Sequence, residues 1–241
     1  MKIRFIASPK RSAQAVLDEL TILYGQAPPS EADYIVAVGG DGTVLQALHG
    51  ALANARQPVF GMRLEGSVGA LANRYSLHAL PRRLQRARRI VIHPLKAEAT
   101  CGDGEVQTVF AINEVVFSRQ RLQAAKMQVT ADAREYPLII GDGLIIASAV
   151  GSSGYNQSAG GPCLPYDASK LALTAISPRR CSRWSNAVAD DTACIDVEII
   201  DPDFRPVRLE TTMSELRNVR RTRLSCCRDV ELILLFDRTD F

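Results

Sequence analysis

The chain has 241 residues, 46% hydrophobic and 23% charged, a balance that fits a folded globular protein and argues against disorder. Its net charge of +3 is too small for a broad nucleic-acid footprint, so no nucleic-acid partner is expected, whereas small anionic ligands are compatible with it. No run approaches the roughly 18 uninterrupted apolar residues of a membrane span and the first residues lack the apolar core of a signal peptide, so the expectation is a cytoplasmic protein with no membrane partner.

In chain order, KIRFIAS reads as a strand, and Arg11 to Tyr24 carries Val16, Leu17, Leu20 and Leu23 at helical spacing. Tyr34 to Val38 reads as a buried strand, Val44 to Leu52 as a helix, and PVFGM as a further short strand. Strand, helix, strand, helix, strand in about sixty residues predicts a parallel, Rossmann-like α/β sheet. LPRRLQRARR then reads as a helix that buries Leu80, Leu84 and Ala87 and leaves the five arginines from Arg82 to Arg89 in water, an anion patch being the alternative. Beyond it strand-like runs dominate: RIVIHPL, TVFAINEVVFS, AKMQVTA, PLIIGDGLIIASAV, CIDVEII and VELILLF. Separated by Gly, Pro and Asp turns, they predict a β-rich, antiparallel second domain. The expected division is an α/β domain at 1–91 and a β-rich domain at 92–225, with the stretch from about 226 to 241 able to pack back on the first. Six cysteines show no C-x-x-C pairing and three histidines are scattered, which predicts reduced, structural thiols and neither a zinc site nor a disulfide scaffold.

The tripeptide Gly-Asp-Gly occurs at 40–42, 102–104 and 141–143. The middle copy lies among polar residues between two strand-like runs, where a hairpin turn is needed. The first copy stands between a buried strand and a helix N-terminus. There Gly39, Gly40 and Gly42 let the backbone turn sharply and, with Thr43, bring N–H groups to a phosphate. Neither G-x-G-x-x-G nor G-x-x-x-x-G-K-[ST] is present, so neither of those cofactor modes is implied. Asp41 is the distinguishing residue. A carboxylate beside phosphate oxygens repels them unless it binds a metal ion or takes a proton from a hydroxyl, and both alternatives point to phosphoryl transfer. The plainer alternative makes Asp41 or Thr43 a helix N-cap.

In FAINEVVF, Asn113 and Glu114 interrupt an apolar strand. Because alternate side chains point to opposite faces, one wet face does not explain both. An amide beside a carboxylate suits ribose hydroxyls, donating and accepting together; a glutamate at an edge or bulge is the plainer alternative. From Asp142 a strand runs into GSSGYNQSAGGP, a loop of small and hydroxyl residues against which a flat ligand can lie, with Ser153 and Ser158 as hydrogen-bonding groups and Tyr155 as a packing surface.

Taken together and in this order, GGDGT (39–43), NE (113–114) and DGLIIASAVGSSGYNQSAGGP (142–162) resemble the NAD kinase family, its shorter bacterial members in particular. VLQALH, GSVGAL at 66–71 and LALTAISP at 171–178 extend the resemblance over roughly Ile3 to Asp237. The resemblance implies an α/β N-terminal domain, a β-rich C-terminal domain and an active site between them. It also implies transfer of the γ-phosphoryl of ATP, or of polyphosphate, to the 2′-hydroxyl of the adenosine ribose of NAD, with a divalent metal, Mg²⁺ being expected. By the same resemblance Asp41 is the base, and Gly39, Gly40, Gly42 and Thr43 accommodate the phosphates. Asn113 and Glu114 contact the dinucleotide, and Ser153, Tyr155 and Ser158 line its adenosine pocket. Gly42, Val150, Gly154, Asn156 and Gln157 are further substrate contacts. Asp142 reaches the NAD of a neighbouring subunit, which implies a homodimer or homotetramer.

The chain also departs from the family. Arg63-Leu64-Glu65-Gly66 stands where Asn-x-Gly is usual, Ala70 replaces a Phe, and Ser148-Ala149 replaces Thr-Pro. Ser153-Gly154 replaces Thr-Ala, and Thr211-Thr212-Met213 replaces an aspartate-containing turn. These changes predict weaker NAD binding, with Glu65 repelling a diphosphate and Arg63 offsetting part of that. They keep open a weakly catalytic or non-catalytic dinucleotide-binding protein of the same fold. A lipid kinase of the diacylglycerol or sphingosine type shares a GGDGT-like loop and fits the other segments poorly.

Overall fold

Short, mostly apolar runs build the first sheet of the computed structural model, which describes residues 1–53, 57–64, 66, 69–182, 184 and 186–237. In order come β1 (Ile3–Ala7), α1 (Arg11–Tyr24), β2 (Tyr34–Val38) and α2 (Asp41–Ala53). After them come β3 (Val59–Arg63), β4 (Asn73–Arg74), α3 (Leu80–Arg86) and β5 (Arg88–Ile92). β1, β2 and β3 pair in parallel. α1 buries Ala13 and Leu20, with Val16, Leu17 and Tyr24 packed beside them. Leu23, expected in that stripe, is 56% exposed. Tyr24, four residues after Leu20, takes the inward place and donates its hydroxyl to the Leu77 carbonyl at 2.7 Å.

The second stretch begins with β6 (Leu95–Thr100), β7 (Val106–Ala111), β8 (Glu114–Arg119), β9 (Ala125–Ala131) and β10 (Arg134–Glu135). β11 (Ile139–Gly141), β12 (Gly143–Ser148), the short α4 (Tyr155–Ser158), β13 (Lys170–Ile176) and β14 (Ala187–Asp190) follow. β15 (Ile195–Ile199), β16 (Val207–Glu210), β17 (Glu215–Val219) and β18 (Arg221–Cys226) complete it, and β19 (Leu232–Phe236) is the last element. β19 returns to the first sheet, parallel to β3 and antiparallel to β5, giving the order β1-β2-β3-β19-β5 with β4 beside β3. The Asn73 amide joins this pairing, donating to the carbonyls of Gly61 and Leu235. By their contacts, residues 1–92 and the stretch from Val230 form one unit, and His93–Asp229 form the other.

The second unit is a sandwich of two antiparallel sheets, ordered β10-β9-β15-β18-β6-β7, with β11 also on β9, and β14-β13-β12-β8-β16-β17. Period-two alternation makes it: Ala125, Met127, Val129 and Ala131 of β9 face inward while Lys126, Gln128 and Thr130 point out. They share one core with Leu95 and Ala97 of β6, Phe117 of β8, Leu144 and Ile146 of β12, and Leu173 of β13. Emptying one such position, as in Phe117→Ala, costs about 3–5 kcal/mol. β12 lacks alternation because both its faces are covered: Ile145 and Ala147 turn to a second cluster with Ala172, Ala159 and Leu164.

Two expectations need correction. The run RIVIHPL does not open the second sheet system; Arg88–Ile92 lies in the first. Nor are all the arginines of α3 in water. Arg83 is 15% exposed, pairs with Asp237 and lies 5.0 Å over the Phe60 ring. The 102–104 turn does close the β6–β7 hairpin, with the N–H of Gly104 on the Cys101 carbonyl. Cys101, Cys163, Cys194, Cys226 and Cys227 are free thiols, and the side chain of Cys181 lies outside the described residues. Among the described residues no helix is long and apolar enough to cross a membrane.

Candidate functional site

β2 ends at Val38 and the chain turns at once into α2, so Gly39 to Thr43 form the junction. α2 begins at Asp41, three residues before the predicted Val44, because the N–H groups of Thr43 and Val44 already bond to the Gly40 carbonyl. Thr43 is buried, Asp41 half-buried and Gly42 exposed. Asp41 stands in the first turn, where the helix dipole favours negative charge. It does not cap its own helix in the way the plainer alternative requires. Its Oδ2 accepts the N–H of Ala70 at 2.9 Å and its Oδ1 that of Leu71 at 2.8 Å. Each oxygen keeps a second lone pair for an incoming hydroxyl. A Cβ on Gly69 would lie 2.3 Å from Asp41 Oδ1, so this approach needs glycine. The amides of Ala70 and Leu71 were not among the expected site residues; the GSVGAL match was the signal that contained them. Glu65, the charge expected to weaken binding, lies outside the described residues.

In the second unit the two other constellations prove to be one. β7 belongs to one sheet and β8 to the other, and Asn113 and Glu114 sit where the chain crosses between them. That crossing is why two polar residues interrupt an apolar run. Glu114 lies opposite Ala147 of β12. The next residue, Ser148, donates its N–H to the Asn113 carbonyl and its hydroxyl to the Ile112 carbonyl, both at 2.8 Å, and accepts the N–H of Gly151. Ser148 therefore supplies a hydroxyl where the family has threonine. A Cβ on Gly151 would meet the Asn113 oxygen at 2.3 Å, so the loop after β12 is pressed onto the Asn-Glu turn.

Asn113 Oδ1 and Glu114 Oε2 are buried and have no hydrogen-bond partner among the described residues. Burial pushes the Glu114 carboxyl from its ordinary 4.5 up to about 7. Two adjacent buried acceptors without partners are costly in a folded protein, and a ligand that donates to them removes the cost.

Along the loop Val150 is buried, Ser153 half-buried, and Gly154, Tyr155, Gln157 and Ser158 are exposed, Tyr155 with 47% of its surface open. The Asn156 side chain is engaged with the protein itself. It is fully buried, donating to the carbonyls of Ser152 and Pro162 and accepting from the Thr174 hydroxyl at 2.7 Å. Its amide holds the loop closed on β13. Asp142 stands apart from this group. It precedes β12 and Ser148 ends it, a separation of about 20 Å at strand rise, and Asp142 pairs with Arg119 at 2.7 Å. At the other departure, the Thr211 hydroxyl accepts the N–H groups of Met213 and Ser214 and closes the β16–β17 turn without an aspartate. Among the described residues no three His, Cys, Asp or Glu side chains gather as a metal cage would.

Residues 10–88 match the family model of the ATP-NAD kinase N-terminal domain, and residues 112–208 that of the ATP-NAD kinase C-terminal domain. The NAD kinase of Zymomonas mobilis is 42% identical over 238 residues, covering 98% of this chain and 92% of that protein. The chain belongs to the NAD kinase family. Membership makes it a phosphotransferase and removes the lipid-kinase alternative, which rested on the glycine loop alone. Its fold is that of the yeast NADH kinase solved with NADH, with a TM-score of 0.81 at 16% identity over 100% of this chain and 85% of that one. The NAD kinase of Archaeoglobus fulgidus solved with ATP has a TM-score of 0.77 at 22% identity, over 100% of this chain and 96% of that one.

Proposed function

We infer that this NAD kinase family member moves the γ-phosphoryl group of ATP, or of polyphosphate in its place, to the 2′-hydroxyl of the adenosine ribose of NAD. The hydroxyl proton passes to Asp41, the ribose oxygen bonds to phosphorus, and the bond from phosphorus to the bridging oxygen of ADP breaks. The glycines at 39, 40 and 42, with Thr43, hold phosphate oxygens at the N-terminus of α2. Asn113 and Glu114 take the hydroxyl and amine donors of the adenosine, while Ser153, Tyr155 and Ser158 line its pocket. The observation that supports the base role most is the Asp41 carboxylate, with an amide on each oxygen and a lone pair on each to spare.

The residues of the glycine turn do not suit a protein-caged metal; Mg²⁺ would come carried on the nucleotide phosphates, which the amides of that turn would hold, leaving Asp41 as the base. When bound, the ion would neutralise phosphate charge. Asp142, remote from the Asn-Glu turn, fits service to the NAD of a second copy, and the five free thiols among the described residues fit a reducing cytoplasm; recovery of the native protein outside the cytosolic fraction would overturn that location.

Asp41→Asn tests the base. The variant keeps the shape of the side chain and should lose about 10² to 10⁴-fold in NADP formation from NAD and MgATP while keeping its thermal transition. Near-native turnover by the folded variant would remove Asp41 from the role.

A further inference from the structure

Arg63 ends β3, is half-buried, and stands where the family usually has asparagine. Its Nη1 donates to the Gly69 carbonyl at 3.0 Å. That carbonyl and the N–H of Ala70 belong to one planar peptide unit and point in opposite directions. Arg63 thus holds one edge of the plane while Asp41 Oδ2, at 2.9 Å, receives the other. The next amide, of Leu71, reaches Asp41 Oδ1 at 2.8 Å. A cation on the carbonyl also polarises the peptide and strengthens its N–H as a donor. The guanidinium is therefore engaged with the peptide that hydrogen-bonds the Asp41 carboxylate, a different use from offsetting Glu65.

We propose that Arg63 is a positioning residue for phosphoryl transfer: by clamping the Gly69–Ala70 peptide it aims the Asp41 carboxylate. The proposal rests on the assignment of Asp41 as base. It makes the substitution of Asn by Arg a working part of this chain's longer loop.

The test compares steady-state kinetics of the full-length wild type, Arg63→Met, Arg63→Lys, Asp41→Asn and the Asp41→Asn/Arg63→Met double variant, each checked for its thermal transition. Arg63→Met keeps the stem and removes the donors. It should lower kcat about tenfold, as expected for one lost charge-assisted hydrogen bond, with KM for NAD and ATP changed less than about twofold. Arg63→Lys, which still donates to a carbonyl, should regain most of the loss, and it carries the comparison with the wild type should Arg63→Met not fold. In the Asp41→Asn background the Arg63 change should cost nothing further, because Arg63 acts through Asp41.

A raised KM for ATP with unchanged kcat would mean that Arg63 binds phosphate, and it would overturn the proposal. Additive losses in the double variant would overturn it as well, and so would a lysine variant as poor as the methionine one. A lost kcat in Asp41→Asn beside an unaffected Arg63→Met would sink this proposal alone, whereas native kcat in Asp41→Asn would sink the base assignment and this proposal together.

Discussion

Glu114→Gln is the most informative single change outside the glycine turn, because burial alone raises the Glu114 carboxyl from 4.5 to about 7. At 1.36 kcal/mol per pH unit, holding that carboxylate ionised in the fold costs about 3 kcal/mol. Between pH 4.5 and 7 the native chain keeps a proton that the unfolded chain has released, so stability is highest below 4.5, falls as pH rises through the window, and levels off above 7. Glutamine has no charge to form, so the variant should escape this fall. Measured by denaturant unfolding of the 93–229 unit within the whole chain, the variant should gain up to about 3 kcal/mol on the wild type between pH 4.5 and 8. NAD binding should show the opposite slope. Ribose hydroxyls that donate to Glu114 favour its carboxylate, so NAD affinity should strengthen by up to about tenfold per pH unit towards pH 7 and then flatten, while Glu114→Gln shows no such rise. Calorimetric titration of NAD at pH 5.5, 6.5 and 7.5 reads it. Parallel pH profiles for the two proteins, or NAD binding that weakens as pH rises, would refute the reasoning.

Asn156→Ala should destabilise the second unit by about 2–4 kcal/mol, since it removes two donated bonds and leaves the Thr174 hydroxyl buried beside a void. It should also raise KM for NAD more than it lowers kcat. Unchanged unfolding with a raised KM would instead return Asn156 to direct ligand contact. If Asp142 serves a second copy, light scattering at assay concentration should show a dimer or larger, and a fully active monomer would end that assignment.

Features that depend on near neighbours along the chain could be read from the residues alone. The bounds of α1 follow from its spacing, and YIVAV must be a buried strand. GGDGT had to fall at a strand-to-helix junction, because glycine permits the turn wherever it occurs. The order of three short motifs was enough to point to the family. Tertiary structure decided what depends on chain brought from far away. β19 enters the first sheet between β3 and β5 because both offer an open edge to an apolar run that lies about 140 residues beyond β5 along the chain. Arg83, one of five similar arginines, turns inward because Asp237 and the Phe60 ring arrive beside it. That Asn156 ties its loop to β13 shows only when Thr174 and Pro162 are seen to use its amide. Most hidden were the groups that hold Asp41, since a backbone N–H is carried by almost every residue and has no letter of its own; only folding makes the amides of Ala70 and Leu71 different from the rest.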